Sequence, residues 1–486
     1  MNRELRMAGV LSRAAFVMSV CLLSAACAVS NAVQTAPPNV LFIAVDDLND
    51  WVGYLGGHAQ SKTPNIDALA QQGFAFKYAY CPAPACGPSR TALMYGVAPH
   101  KSGSYGHHSI YDPANLLDEK QLPMNLVFQD NGYYTAGCGK LFHYKEPRGW
   151  DVYQRGFGGK RPEKVEAPGP GVRIRTGVIE TNDDSETAEG KAADWTIAQL
   201  QQAGDKPFFI AMGLYLPHEP WVAPRKYFDR FPRDQVALPR VPEGDLSDVP
   251  KAGQVFARSL VGFRPWDDHA EITAVDDAWR ELVRGYLAAS SFSDANVGRV
   301  LNALAMSEHA DNTIVVLWGD HGWHLGEKEA WRKMTLWERG TRTPLIIRLP
   351  GGHAAKLIDE PVSLQDIYPT LVELCGLELD QSLDGDSLAP LMQAGAAKWD
   401  RPVVMSHGPG NFAVRYGRWR LIRYADGSEE LYDIYDDPQE WENLAARPAY
   451  DATRAQLREH LPKTWKYVVG PRFKWFEDSF AEQPQP

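Results

Sequence analysis

Asn39-Val-Leu-Phe-Ile-Ala-Val45, followed at once by Asp46-Asp47, is the stretch that decides the fold. Its unbroken apolar row has neither the alternation of a half-solvated strand nor the length of a helix, and suits a strand covered on both faces. The pattern recurs. Thr313-Ile-Val-Val-Leu-Trp318-Gly319 runs into Asp320-His321, and Pro207-Phe-Phe-Ile-Ala-Met-Gly-Leu-Tyr-Leu216-Pro217 runs into His218. More loosely, Tyr133-Tyr-Thr-Ala-Gly137 leads to Lys140 and His143. In open α/β sheets the ligand crevice lies outside the carboxyl ends of the strands, so these endings predict a site as well as a sheet.

Helical patterns separate the runs, among them Pro64-Asn-Ile-Asp-Ala-Leu-Ala-Gln-Gln-Gly73 and the stretch 279–304, whose apolar face is broken by charges. Strands alternating with helices predict an α/β fold, a large α/β/α sandwich with a mostly parallel central sheet. Two irregular regions, 150–182 and 241–277, read as long surface insertions, and loops of that length commonly supply substrate contacts. After Asp400 short apolar runs alternate with turns at 402–406, 411–416, 419–424 and 430–433, which predicts a small antiparallel sheet. The expected organisation is an export signal over 1–32, a catalytic α/β domain over 36–399 and a C-terminal antiparallel-sheet subdomain over 400–486.

The 486 residues are 44% hydrophobic and 23% charged, an ordinary balance for a chain able to bury a large core. A formal net charge of −11 argues against nucleic-acid binding, yet leaves room for an anionic substrate steered by a local field. Arg3, Arg6 and Arg13 precede an apolar run over 14–29 interrupted only by Ser19 and Ser24. A permanent transmembrane anchor would need ~20 apolar residues, so the run reads as a cleaved signal and predicts a periplasmic or secreted protein. Cleavage after Ala28 or Ala32 fits the small-residue rule; Leu23-Ser-Ala-Ala-Cys27 offers a competing lipoprotein reading, anchored at Cys27, with its Leu one place too far away. Past the signal stand Cys81, Cys86, Cys138 and Cys375, without an evident oxidised framework.

One of these cysteines opens Cys86-Gly-Pro-Ser-Arg90, continued by Thr91-Ala-Leu-Met-Tyr95-Gly96. Pro near the start and Gly past the end outline a helix, whose N-terminal macrodipole would favour an anion at residue 86 by ~0.3–1 kcal/mol. Cys-x-Pro-Ser-Arg resembles the signature of type I sulfatases, in which the Cys is oxidised to formylglycine (3-oxoalanine) by a maturation enzyme. The resemblance extends along almost the whole mature chain. It rests on Asp46-Asp-Leu48, Thr63-Pro-Asn-Ile-Asp67, Gly139-Lys-Leu-Phe-His143, Pro217-His218, Asp320-His-Gly-Trp323 and Glu430-Leu-Tyr-Asp433, and is closest to iduronate-2-sulfatase-like enzymes.

What the resemblance implies is an alkaline-phosphatase-like fold that hydrolyses a sulfuric ester on a sulfated oligosaccharide, with uronate 2-O-sulfate among the candidates. It implies a Ca²⁺ site, Mg²⁺ being the alternative, made by Asp46, Asp47, Asp320, His321 and residue 86; carboxylates are the hard oxygens such ions take. His321 stands where many arylsulfatases carry Asn. The hydrated aldehyde would hold two geminal hydroxyls, one to attack sulfur and one to expel sulfate afterwards. Arg90, one helical turn on, would stabilise the gem-diolate, and Lys140 and Lys333 would clamp sulfate oxygens. His218 would protonate the leaving alcohol and His143 would take the proton of the remaining hydroxyl, or the two would exchange these roles, which suit an imidazole with a pKa near ~6.5. His107, His108, Lys101, His324, Arg332 and Trp331 are near these motifs and are candidates to face the sugar, while Lys328 departs from the His often found after Gly-Glu. Two other functions compete. One is a phosphomonoester, phosphodiester or phosphonate hydrolase of the same superfamily, although those preferring phosphate commonly use Thr or Ser and two metals. The other is a catalytically silent glycan-binding protein.

Overall fold

All residues of the opening stretch are buried in strand β1 (Asn39–Val45) of an eight-stranded sheet. The computed structural model describes residues 37–258, 260–261, 264–265, 268–352, 355–393, 399–470 and 474. The sheet continues with β2 (Phe74–Phe76), β3 (Tyr134–Gly139), β4 (Val152–Gln154), β5 (Phe208–Leu214), β6 (Thr313–Gly319), β7 (Leu345–Arg348) and β8 (Lys356–Ile358). Their spatial order is β8-β2-β7-β6-β1-β5-β3-β4. Strand β7 runs antiparallel to β6 and β2, and the remaining pairings are parallel.

Alternate residues of each strand serve opposite layers, as the two-residue period requires. Val40, Phe42 and Ala44 of β1 pack with α2 (Cys86–Tyr95), α3 (Met124–Asp130) and α6 (Ile367–Cys375) through Leu93, Val127 and Leu371. On the other face, Leu41, Ile43 and Val45 meet α1 (Pro64–Ala70), α4 (Ala188–Gln202) and α5 (Ala278–Ala305) through Leu69, Ala193 and Val300. Two covered faces explain why the central strands read as continuous apolar rows. The expected α/β/α sandwich is therefore the fold.

The region 150–182, expected to be irregular, carries two strands, Val152–Gln154 and Thr176–Ile179, the second paired in parallel with Trp221–Pro224. Val152–Gln154 is the edge strand β4, paired with β3.

Beyond residue 400, β9 (Val403–Ser406), β10 (Phe412–Tyr416), β11 (Trp419–Arg423) and β12 (Glu429–Asp433) form an antiparallel meander. One of its faces packs on Tyr80, Leu336 and Trp337 of the larger layer, and the other is covered by Leu444, Leu457 and Leu461. This sheet belongs to the same compact unit as the large one. Among the described residues no helix is long and apolar enough to cross a membrane. The export signal and Cys27 lie outside the described residues.

Candidate active site

Strand register gathers the chemistry. Val45 lies opposite both Gly319 and Leu214, so Asp46-Asp47 and Asp320-His321 leave neighbouring strand ends, with His218 just beyond β5. Gly139 lies opposite Gly213, which brings Lys140 to the next strand end. That crossing needs glycine: a Cβ on Gly139 would sit 1.9 Å from the Gly213 carbonyl oxygen, and its φ is +71°. Asp47 also adopts a left-handed φ of 58°. Its backbone is held by Tyr286 of α5, whose hydroxyl donates to the Asp47 carbonyl (2.8 Å) and accepts from the Asn49 amide (2.9 Å).

Cys86 opens α2 and is 1% exposed. Its Sγ receives Lys333 Nζ at 2.9 Å and lies 3.3 Å from His321 Nε2 and 3.7 Å from Asp47 Oδ1. Lys333 Nζ also donates to Asp47 Oδ1 at 2.6 Å. Burial opposes the ammonium charge of Lys333, but Asp47 and Cys86 hold its pKa above the ordinary value. Lys140 pairs with Asp46 and lies over the Tyr215 ring at 5.2 Å.

Arg90 is seated between the strand-end carboxylates, close enough to Cys86 to interact with it electrostatically. Its Nε donates to Asp320 Oδ2 (2.8 Å), one Nη to Asp46 Oδ1 (3.1 Å) and the other to the carbonyls of Lys140 and Leu141. It therefore orients two carboxylates and ties two strand ends to α2. Ser89, which the sequence reading passed over, donates to the Asp320 carbonyl at 2.5 Å.

Three carboxylates thus face three fixed cations. Burial would raise the pKa of each acid, yet Lys140 and Arg90 hold Asp46 low, and His321 and Arg90 hold Asp320 well below the carboxylate range. Burial works against protonation of His321, but Asp320 and the hydrogen bond to Asp47 keep its pKa up at about 10. Its Nδ1 donates to the Gly322 carbonyl at 2.9 Å, which leaves Nε2 facing Cys86.

The donor set fits a hard divalent cation. Ligand atoms of Asp47, Cys86, Asp320 and His321 lie within 4.8 Å of one another, as do those of Asp46, Asp47, Cys86 and His218. Asp47 Oδ2 is buried and accepts no hydrogen bond, a lone pair that a cation would satisfy.

Both histidines border a cavity of about 620 Å³ lined also by Lys140, Trp150, Arg155 and Tyr215. His218 Nδ1 donates to the Glu219 carbonyl at 2.7 Å, and Nε2 lies 3.9 Å from Asp47 Oδ2. His143 stacks on His107 at 4.5 Å, its Nδ1 without a hydrogen-bond partner. Burial, then His107 and Lys140, push the His143 pKa down to about 3. His107 joins His143 and Cys86 within one 4.8 Å cluster.

The other sugar-facing candidates part ways. His324 is fully buried, donating from Nδ1 to the Glu327 carbonyl (3.0 Å) and accepting from Thr335 Oγ1 (2.7 Å). Trp331 is buried too, and Lys101 pairs with Asp384. Arg332 pairs with Glu219, tying the segment before Lys333 to the one after His218. Lys328 is buried against Asp245 (3.0 Å) and the Glu440 carbonyl (2.6 Å), a structural ion pair that anchors the Lys333 loop. That loop holds left-handed φ at Lys328, Glu329, Arg332 and Met334.

A family profile described as Sulfatase matches residues 38–377. The chain belongs to the sulfatase family. A second profile, the C-terminal part of N-sulphoglucosamine sulphohydrolase, matches 319–466. This sulfatase is 36% identical over 492 residues to a sulfatase of Formosa agariphila, covering 96% of this chain and 95% of that protein. It is 27% identical over 398 residues to the iduronate 2-sulfatase of Homo sapiens, covering 70% of this chain and 69% of that one. The solved structure of a 2-O GAG sulfatase shares its fold with a TM-score of 0.69 at 24% identity, covering 92% of this chain and 94% of that one. The sulfatase is accordingly a sulfuric ester hydrolase.

Proposed function

We propose that this sulfatase is exported and desulfates a polysaccharide-derived oligosaccharide, with uronate 2-O-sulfate as first candidate, using formylglycine at position 86 and Ca²⁺. The observation that carries the reading is the convergence on Cys86, at a helix N-terminus, of Lys333, His321 and Asp47, beside a cavity lined by Lys140, His143 and His218. The relatives' names supply the carbohydrate part. Because Cys86 is 1% exposed, its maturation enzyme has to act before the fold closes.

Formylglycine, hydrated, supplies a gem-diol that can both attack sulfur and release sulfate, which a thiol cannot do. The cation, on Asp46, Asp47, Asp320 and His321, would offset the three carboxylates so that an anionic ester can approach. Lys140 and Lys333 hold sulfate oxygens as point charges. Arg90 orients Asp46 and Asp320. His218, which lines the cavity with Nε2 3.9 Å from Asp47 Oδ2, gives a proton to the departing alcohol. His143 is neutral in the free site and is the base for the hydroxyl left at position 86; a bound sulfate counters Lys140 and raises its proton affinity.

Turnover of an aryl sulfate and an aryl phosphate by the same preparation, followed by a desulfation screen on defined sulfated oligosaccharides, tests the reading. Preference for sulfate and release of sulfate from a uronate 2-O-sulfate are expected. Preference for phosphate would favour the phosphoryl-transfer alternative, and absence of turnover the silent glycan binder.

A further inference from the structure

Beside the cavity that holds the two histidines lies a second one of about 590 Å³, within the range of small-molecule sites. Gly139, Lys140, Arg155 and Tyr215 line both, so the two abut along a shared wall. The second cavity is largely apolar, walled by Phe157, Leu216 and Phe292 and by part of the Gly/Pro-rich segment that follows β4. The reaction outlined above uses none of these apolar residues.

Charge on its wall selects the occupant. Lys140 pairs with Asp46 and serves the sulfate of the reacting ester, and Lys160 pairs with Glu186. Arg155 and Arg161, by contrast, make no hydrogen bond or ion pair with any described residue. Glu189 also lines the cavity, but its carboxylate accepts the backbone amides of Tyr215 (3.2 Å) and Leu216 (3.3 Å). Two uncommitted arginines lining a largely apolar cavity suit a ligand that carries anionic groups on a body with apolar faces. A carboxylated or sulfated sugar ring has that chemistry, and a guanidinium fork matches both anions.

We propose that this second cavity is a subsite for an anionic sugar residue neighbouring the one that is desulfated, held through Arg155 and Arg161. The inference rests on the sulfated-carbohydrate reading and deepens it, because it makes the substrate an oligosaccharide with charge on two successive residues.

The test compares wild type, R155A/R161A and R155K/R161K. Inhibition constants of heparin-derived disaccharide and tetrasaccharide are measured against aryl sulfate turnover at fixed ionic strength. The wild type is expected to bind the tetrasaccharide more tightly. The alanine pair is expected to lose about tenfold of that preference, the scale of two solvent-accessible ion pairs, and the lysine pair to keep most of it. No length preference in the wild type, or one that survives R155A/R161A, overturns the proposal. The second result would mark an occupant held by the apolar walls alone. Failure of the sulfatase reading itself would show as absent aryl sulfate turnover, and the same length comparison is then read by calorimetric titration.

Discussion

Replacing Arg90 with methionine keeps an unbranched side chain in the core and removes the guanidinium that serves Asp46 at 3.1 Å and Asp320 at 2.8 Å. All three side chains have no exposed surface. Taking one member from a buried pair strands the other and costs ~3–5 kcal/mol. Lys140 remains beside Asp46, so that acid keeps a partner. Asp320 keeps the Asp47 amide (2.9 Å), His321 and a hydrogen bond shared with Asp46, but loses its guanidinium, and the carbonyls of Lys140 and Leu141 lose a donor. We therefore expect R90M to lie near ~3–4 kcal/mol below wild type. The assay is urea denaturation of metal-free protein in chelator at neutral pH. The pH dependence gives a second reading. Folded-state pKa values of Asp46 and Asp320 lie below the ordinary 3.8, so their stabilisation is complete above that value and is lost as pH falls through the lower folded values. The deficit of R90M should be largest at neutral pH and shrink below about pH 4. A deficit under ~1 kcal/mol, or one that grows on acidification, would refute the reasoning.

H143A and H218A should each slow aryl sulfate turnover by ~10²–10⁴-fold while leaving the thermal midpoint nearly unchanged; near-normal rates in both would remove their assigned roles. Because His143 is held neutral down to about pH 3, it should contribute no inflection to the kcat/KM profile between about pH 5 and 8, whereas relieving its neighbour in H107A should raise its pKa, read by NMR of the imidazole. Chelation should abolish turnover and Ca²⁺ restore it, and D47N, which alters the carboxylate bearing the unbonded Oδ2, should weaken calorimetric Ca²⁺ binding by at least about tenfold. K328M should cost about 1–3 kcal/mol, since burial already holds the Asp245 carboxyl above its ordinary pKa and it can take a proton once the ammonium is gone; kcat/KM should fall, because the displaced loop carries Lys333.

Much of this arrangement was legible in the chain. Strand ends carrying Asp46-Asp47, Asp320-His321 and His218 announced the sheet and the meeting of these side chains at one edge of it, because a strand covered on both faces leaves polar residues only where it emerges. Cys86 at a helix start followed from Pro88 and Gly96, which caps α2 in the left-handed conformation. Register was not legible, and with it the seating of Arg90 between Asp46 and Asp320, since side chains on different elements meet only after the strands pair. The Lys333 loop defeated local reading for another reason. Past Gly326 its left-handed positions are Lys328, Glu329, Arg332 and Met334, none of them the glycine or asparagine that signals such a turn, so the inward direction of His324 and Trp331 had no periodic cue. Tyr286 acts on Asp47 from 239 residues away, a contact that no local pattern announces. Strand β4 escaped because three residues at a sheet edge carry too little pattern.

The central claim is that Cys86 becomes the reactive group by oxidation to formylglycine. Mass spectrometry of the peptide containing residue 86, taken from the same preparation in which aryl sulfate turnover is measured, tests it most directly. The account predicts a peptide carrying an aldehyde in place of the thiol, in a fraction that tracks specific activity across preparations. A fully active preparation whose Cys86 remains an unmodified thiol would contradict it.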